Sequence, residues 1–185
     1  MIRSVIKMGH PHLMQPAARV EQNEFNTPKL KSMIQDMIDT LKDSKGVGIA
    51  ANQVDITKRI VIIGFEDNAR YPDEKPIPIK ALINPVFTPL SDEMTEGWEG
   101  CLSIPGLRGL VPRYTQIYYE YQDISGKKHA VKTNGFEARI VQHECDHLDG
   151  IVFPARIRNF LKFGFEDSLP EFTEKFKDNN SEEEV

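Results

Sequence analysis

Apolar side chains recur at helical spacing along the segment from Pro28 to Ser44. The apolar positions lie three or four residues apart, which places them on one face of an α-helix. They are Leu30, Met33, Ile34, Met37, Ile38 and Leu41. Thr27 precedes Pro28 and provides an N-cap, and Gly46 suits the end of the helix. The pattern predicts an amphipathic helix that packs against the core.

The segments that follow have a different pattern. Arg59–Phe65 is rich in β-branched residues and predicts a strand, as do Ala81–Leu90 and Gln116–Gln122. A glycine-containing turn separates Gln116–Gln122 from Lys127–Thr133, so these two segments are predicted to form a hairpin. Glu66–Ile79 is charged and rich in proline, which predicts a surface loop.

A second helix is predicted from Gly135 to about Leu148, with Asn134 at its start. The strands precede this helix, and strands and helices do not alternate in the way that builds parallel sheets. The order predicts an α+β fold with antiparallel sheet. A chain of 185 residues fits one domain, which we expect to cover residues 1–165.

Composition narrows the class of protein. With 39% hydrophobic and 28% charged residues, the chain is typical of a globular protein. It has no apolar run long enough to span a membrane. The first residues lack the apolar stretch and small-residue cleavage site of a signal peptide. We therefore predict a cytoplasmic protein that does not contact membranes.

The net charge of −5 is concentrated at the end of the sequence. Residues 166–185 carry the surplus of acidic side chains, so the rest of the chain is nearly neutral and has no basic stripe. Direct binding to nucleic acid is not expected from such a distribution. We predict that residues 166–185 form a solvated, partly disordered acidic tail.

Candidate chemistry is concentrated in the stretch QHECDHLDG. On a helix His143 and His147 lie only ~40° apart, so both imidazoles can reach one metal ion. Cys145 lies ~180° from the middle of that face and is predicted to belong to the core. Glu144 and Asp146 flank the face at similar angles, but the longer Glu144 is the general base of the H-E-x-x-H motif. Asp146 is expected to orient a ligand or to form a salt bridge.

Two histidines leave a metal site incomplete, because catalytic sites generally have three protein ligands and an open position for water. The two cysteines form no C-x-x-C pair, which excludes a zinc ribbon and a thioredoxin-like motif. Cys101 lies in WEGCLSIPG, where the glycines and the proline predict a loop rather than a strand interior. We expect Cys101 to be the third ligand; an inert, partly buried thiol is the alternative.

Three stretches, GVGIAANQ, EGCLS and QHECDHL, resemble in order and spacing the three motifs of the peptide deformylase family. The resemblance extends from the MGHP segment near the start to about Pro154. It implies antiparallel sheets packed around a central helix that carries the H-E-x-x-H motif. It also implies an N-terminal amphipathic helix and a C-terminal helix or tail.

The metal site follows from the same resemblance. Cys101, His143 and His147 match the three metal ligands of the family. The resemblance implies one divalent ion, Fe²⁺ in the first place, with Zn²⁺, Ni²⁺ or Co²⁺ as replacements. A thiolate with two imidazoles suits either iron or zinc, so the residues themselves do not choose between them.

The resemblance also implies roles in catalysis. Glu144 matches the family's general acid and base, which takes a proton from the attacking water and delivers it to the leaving amine. Gln53 and the backbone N–H of Leu102 match the groups that hold the formyl oxygen as it becomes an oxyanion. Gly48 matches the glycine whose backbone pairs with the bound peptide.

Further positions match the substrate-binding region. Val47, Phe136 and Ile140 are candidate walls of the pocket for the methionine side chain, although each also suits ordinary core. Arg108 lies near the family's arginine that contacts the substrate backbone, and a solvated surface arginine is the alternative.

The implied function is metal-dependent hydrolysis of the N-terminal formyl group of N-formylmethionyl nascent polypeptides, with release of formate. The implied partners are these peptides and, transiently, the ribosome, although an acidic tail does not favour contact with ribosomal RNA. A zinc metallopeptidase would share H-E-x-x-H but generally uses a His or Glu as third ligand. A non-catalytic metal-binding module would need a fourth protein ligand, for which His10, His12 and His129 are poorly placed in the sequence.

Overall fold

The structure, a computed structural model, describes residues 1–66 and 71–172. Over these residues it contains two α-helices, α1 (Pro28–Asp43) and α2 (Gly135–Leu148). The strands are β1 (Gly48–Ala50), β2 (Ile60–Phe65), β3 (Ile77–Pro89), β4 (Met94–Cys101), β5 (Ile104–Tyr114), β6 (Gln116–Gln122), β7 (Lys128–Asn134) and β8 (Phe163–Phe165). Two short 3₁₀ helices, Pro11–Met14 and Ala51–Val54, are important for the sites described below.

Strands β1, β2, β3, β6 and β7 form one sheet in the order β1-β2-β3-β6-β7, and all neighbours are antiparallel. Strand β2 is buried along its whole length, and its successive side chains point to opposite faces of the sheet. Ile60 and Ile62 pack in the cluster that contains α1, whereas Val61 and Ile63 pack in the cluster that contains α2. The sheet therefore separates the two helices.

A second antiparallel sheet, in the order β4-β5-β8, lies on the other side of α2. Its buried residues Ile104 and Val111 pack with Leu13 and Phe153. Helix α2 contacts β5 as well as the strands of the larger sheet, so it lies between the two sheets. The predicted α+β fold with antiparallel sheets is confirmed.

Most of the elements predicted from local patterns are confirmed. Helix α1 begins at Pro28, and Thr27 Oγ1 accepts a hydrogen bond from the N–H of Leu30 at 3.2 Å. Strands β6 and β7 form the predicted hairpin, in which Gln116 is paired with Asn134. The patterns did not predict β1, β4, β5 and β8.

The loop predicted from Glu66 to Ile79 is wrong at its end. Ile77–Ile79 already belong to β3, where Ile77 is buried and paired with Phe65. Pro78 is tolerated there because β6 pairs with β3 only from Ile83 onward, so one edge of this part of the strand has no ladder partner among the described residues. Residues 67–70 lie outside the described residues.

The segment after β8 contacts the smaller sheet. The N–H of Glu166 donates to the carbonyl oxygen of Gly106 at 2.7 Å, and Leu169 is buried. The rest of the predicted acidic tail, residues 173–185, lies outside the described residues. Among the described helices, none is both long and apolar enough to cross a membrane.

Candidate functional site

Helix α2 presents the two histidines of the H-E-x-x-H motif on one side. The ring centroids of His143 and His147 are 5.0 Å apart, as the spacing of four residues requires. His147 is fully buried, and the side-chain amide of Asn52 donates to its carbonyl oxygen near the end of the helix. Because α2 is enclosed by both sheets, the positions of these imidazoles are fixed by core packing.

Cys101 faces these histidines from the end of β4. It is paired with Ile104 across a two-residue turn, so the prediction that Cys101 lies in a loop is wrong. Close packing, and not a loop, explains the glycine at position 100. A Cβ atom on Gly100 would lie 1.6 Å from Arg108 Nη1. Gly100 thus makes room for an arginine within a strand. The Sγ atom of Cys101 lies 3.2 Å from His147 Nε2.

The ligand atoms of Cys101, His143 and His147 all lie within 4.8 Å of one another. Burial opposes ionisation of the Cys101 thiol, but the adjacent His147 and His143 hold its pKa well below its usual value. A thiolate is the form in which cysteine binds metals. A thiolate and two imidazoles form a suitable donor set for a divalent transition-metal ion, so the residues present fit a metal site.

Glu99 orients His143, a role that the sequence motifs did not reveal. Its Oε2 lies 2.8 Å from His143 Nδ1, and Arg113 contacts both carboxylate oxygens at 2.9 and 3.0 Å. Burial alone would raise the pKa of Glu99, but His143 and Arg113 hold it far below its usual value. The ionised carboxylate accepts a hydrogen bond from Nδ1–H, which leaves Nε2 of His143 available as a ligand atom.

Asp146 forms the salt bridge that was one of its two predicted roles. Arg113 Nη1 lies 2.5 Å from Asp146 Oδ2, and Arg156 Nη2 lies 2.7 Å from Oδ1. Burial raises the pKa of Asp146 less than Arg156 and Arg113 lower it, so the net shift is downward. Arg113 therefore connects Asp146 on α2 with Glu99, which in turn contacts His143.

Cys145 lies on the opposite side of α2. It is 3% exposed and packs in the same core cluster as Val141 and Leu148. Burial raises the pKa of its thiol to about 12. The prediction that Cys145 is a core residue is confirmed.

Glu144 lies beside the two histidines and is buried. Burial raises its pKa to about 7, although His143 and His147 act in the opposite direction. Its Oε2 atom is buried without a hydrogen-bond partner among the described residues. A Cβ atom on Gly48 would lie 2.5 Å from Glu144 Oε1, so the glycine makes room for the carboxyl group against β1. Glu144 thus presents a buried carboxyl group, close to the backbone of β1, that can exchange a proton near neutral pH.

Gln53 belongs to the 3₁₀ helix Ala51–Val54. Its Oε1 accepts a hydrogen bond from the N–H of Ala50 at 2.8 Å, which fixes the orientation of the amide. Its Nε2 lies 3.4 Å from Cys101 Sγ and 3.2 Å from Ser103 Oγ. Leu102 follows Cys101 in the hairpin turn, and Lys7 Nζ donates to its carbonyl oxygen at 3.2 Å. Both predicted oxyanion donors therefore belong to residues next to Cys101, Gln53 by contact and Leu102 by sequence.

These groups open onto a cavity of about 370 Å³. The predicted substrate-binding residues all line it, and they are Val47, Gly48, Arg108, Phe136 and Ile140. Cys101, Leu102, Gln53, His143 and Glu144 also line it, whereas His147 lies behind them. Residues that are far apart in sequence thus surround one space.

Several residues of the cavity were not predicted. Tyr71 comes from the charged, proline-rich segment, and its ring lies 4.7 Å from that of Phe136. Trp98 and Glu166 also line the cavity. Arg108 is only 8% exposed, and its Nη2 lies 2.8 Å from Glu166 Oε2, so the alternative of a solvated surface arginine is wrong. No local sequence signal identified Tyr71, Trp98 and Glu166 as lining residues, because their positions depend on packing between distant segments.

A sequence model of the polypeptide deformylase family matches residues 2–162. The chain belongs to the polypeptide deformylase family. Members of this family depend on a metal and remove N-formyl groups from nascent polypeptides. The alternatives of a zinc metallopeptidase and a non-catalytic metal-binding module are not favoured.

Individual members of the deformylase family are similar over nearly their whole length. Peptide deformylase 1 of Nitrosomonas europaea is 53% identical over 169 residues, which cover 91% of this chain and 95% of the relative. Peptide deformylase 1 of Bordetella pertussis is 52% identical with the same coverage. The Met-Ala-Ser-bound crystal structure of the class I type b peptide deformylase from Acinetobacter baumannii has a TM-score of 0.82 and 41% identity. That likeness covers 85% of this chain and 99% of the other.

Proposed function

We propose that this deformylase binds one divalent metal ion through Cys101, His143 and His147 and hydrolyses the formyl group of N-formylmethionyl nascent polypeptides. One observation carries the proposal: three convergent ligand atoms lie beside the buried carboxyl of Glu144, at a cavity of about 370 Å³. When bound, the ion supplies Lewis-acid chemistry, which makes water a nucleophile near neutral pH. The remaining steps belong to the side chains and backbone of the chain.

Glu144 moves the proton. The group that accepts a proton from the attacking water must later give it to the leaving amine, and it works best when its pKa is near the working pH. Burial raises the pKa of Glu144 to about 7, which suits both steps. Its Oε2 has no hydrogen-bond partner among the described residues, so it is free to contact water or the amine.

Gln53 and the backbone N–H of Leu102 stabilise the formyl oxygen as it gains negative charge. Neutral donors held in place before the reaction are effective because they need little reorganisation. The bond from the N–H of Ala50 to Gln53 Oε1 keeps the Nε2 donor directed toward Cys101. The turn that carries Leu102 is fixed by the pairing of β4 with β5.

The cavity walls bind the rest of the substrate. Val47, Phe136 and Ile140 provide apolar surface for the methionine side chain, and the close ring contact between Tyr71 and Phe136 extends it. The backbone of Gly48 is suited to pair with the extended peptide, because β1 is the edge strand of the larger sheet among the described residues. Arg108 is a donor for the peptide backbone, and its ion pair with Glu166 keeps its guanidinium at the cavity wall.

The test is an anaerobic assay of formate release from formyl-Met-Ala-Ser, with metal content measured on the same sample. Glu144→Gln should retain the metal and lose about 10²–10⁴-fold in activity, as expected when a proton-transfer group is removed. Glu137→Gln is the matched control, because Glu137 lies on the same helix but contacts Lys80 Nζ at 2.7 Å. Turnover by Glu144→Gln at the wild-type rate would show that the proposed role is wrong.

The identity of the ion and the cellular setting are further parts of the proposal. We propose Fe²⁺ as the native ion, because the thiolate and imidazole donors accept it and the family resemblance implies it. Metal analysis of protein purified without oxygen tests this, and zinc as the main ion in active samples would contradict it.

We also propose a cytoplasmic location and transient association with the ribosome, which cosedimentation with translating ribosomes would test.

A further inference from the structure

A second cluster of metal-binding side chain types lies at the protein surface. The ligand atoms of His10, His12 and Asp55 all lie within 4.8 Å of one another. None of these residues lines the cavity described above. The proposed deformylase reaction gives them no role.

The backbone places the two histidines side by side. His10 precedes the 3₁₀ helix Pro11–Met14, and the N–H of Leu13 donates to its carbonyl oxygen at 3.1 Å. Leu13 is fully buried, which anchors this short helix to the core. The ring centroids of His10 and His12 are 5.3 Å apart. The segment therefore holds two imidazoles close together on a fixed base.

Asp55 completes the cluster from the other side. It follows the 3₁₀ helix Ala51–Val54 and has a left-handed backbone conformation, with φ of 62°. Its Oδ1 lies 2.6 Å from His12 Nδ1. The hydrogen bond with His12 lowers the pKa of Asp55, so the carboxylate is ionised at neutral pH. The nearby cation Arg3 is itself paired with Asp36 at 2.8 Å, which offsets its charge.

We propose that His10, His12 and Asp55 form a second, surface site for a divalent transition-metal ion such as Zn²⁺. Two imidazoles and one carboxylate are ligands that Zn²⁺ accepts, with water at the remaining position. Neighbouring ligands of a tetrahedral Zn²⁺ ion are ~3.3 Å apart, given the usual bond lengths. The His12 and Asp55 side chains must therefore move slightly apart, and their exposures of 45% and 55% allow this.

An ion at this site would connect two segments of the chain. His10 and His12 belong to the N-terminal segment, whereas Asp55 ends the turn that carries Gln53. The N–H of Ile6 already donates to the carbonyl oxygen of Gln53 at 2.9 Å, so the two segments are adjacent without an ion. Because the three ligands converge only in the folded chain, the ion stabilises the folded state.

The test begins with the holoenzyme, whose Cys101 site is filled, and counts bound ions after equilibrium dialysis against micromolar Zn²⁺. Wild-type protein should hold two ions per chain, and Asp55→Asn and His12→Asn should each hold one. Asparagine tolerates the left-handed backbone conformation at position 55, so the first variant removes the charge without backbone strain. Formate release should be unchanged in both variants, which also shows that they are folded.

His129→Asn is the matched control. His129 Nε2 lies 2.7 Å from Asp123 Oδ2, with side-chain exposures of 34% and 33%, so it forms a similar surface pair. No third metal-binding side chain completes a cluster there among the described residues. This variant should still hold two ions, and Zn²⁺ should raise its unfolding temperature as it does for the wild type. The proposal is overturned if the wild type holds one ion, or if Asp55→Asn still holds two.

Discussion

Buried thiols on the two sides of helix α2 have pKa values shifted in opposite directions. Cys145, on the core side, is 3% exposed, and burial raises its pKa to about 12. Cys101, across from the other side, is 8% exposed, yet His147 and His143 hold its pKa well below the usual value. Burial is nearly the same for the two thiols. The charges beside each thiol therefore decide which one can bind a metal.

The two buried glutamates near the same histidines show the same contrast. Glu99 is paired with Arg113, and its pKa is far below the usual value despite burial. Glu144 has no arginine partner among the described residues, and burial raises its pKa to about 7. One carboxyl group remains ionised and contacts the proposed ligand His143, whereas the other can exchange a proton. The difference in partners assigns the two different roles.

The largest expected effect is the difference in metal content and activity between substitutions of the two cysteines. Cys101→Ala removes one of three proposed ligands, so we expect loss of the metal and of formate release. Cys145→Ala should keep both, and the small cavity it creates should lower the free energy of unfolding by about 1–2 kcal/mol. Metal analysis, formate assay and urea unfolding measure these effects. An empty site in Cys145→Ala would overturn the distinction between the two sides.

Gly48→Ala should have the next largest effect. A Cβ atom at this position would lie 2.5 Å from Glu144 Oε1, so the carboxyl group must move. Small displacements of catalytic groups can cost on the order of 10²-fold, and we expect a fall of this size in kcat. Gly164→Ala is the control, because its Cβ atom would make only an ordinary contact with Leu169 at 3.4 Å. Wild-type kcat in Gly48→Ala would contradict the close packing of Glu144 against β1.

Glu99→Gln should weaken metal binding by about 10–100-fold, the usual effect of removing a partner that orients a ligand. Asp146→Asn is the matched comparison, because both residues pair with Arg113 but only Glu99 contacts His143. Competition with a chelator would measure the affinity for the metal. Equal losses in the two variants would mean that Glu99 contributes only to stability, and its orienting role would be wrong.

The last prediction concerns the stability of the metal-free protein and does not bear on turnover. The pKa of Glu144 is about 7 in the folded chain, against 4.5 as the ordinary value. The folded state therefore holds the proton more tightly, and stability falls as pH rises between these two values. Glu144→Gln removes this titratable group. Its free energy of unfolding relative to the wild type should therefore increase with rising pH, by up to ~1.4 kcal/mol per pH unit in that window. Urea unfolding across the window measures this, and a constant difference would contradict the raised pKa.

Features that depend on neighbouring positions in sequence could be predicted. The apolar spacing gave the position of α1, and the angular positions on α2 separated Cys145 from His143 and His147. Both arguments use only the geometry of a regular helix. The prediction for α2 is correct because the helix is regular and packs against a sheet on each side.

Features that depend on distant positions could not be predicted. Glu99 meets Arg113, Arg139 and His143, which are 14, 40 and 44 residues away in sequence. A periodic pattern in the local sequence does not indicate contacts between distant residues, so the ion-pair network around Glu99 was not predicted. The glycine before Cys101 misled for a related reason, because it accommodates Arg108 from the adjacent strand rather than a loop.

The most direct test of the central claim is the absorption spectrum of the cobalt-substituted protein. Cobalt(II) bound to a thiolate gives an intense charge-transfer band in the near ultraviolet, whereas imidazole and carboxylate ligands do not. We expect this band in the wild type and in Cys145→Ala, and we expect it to be absent from Cys101→Ala. A band that survives in Cys101→Ala, or disappears in Cys145→Ala, would contradict the assignment of the ligand to Cys101.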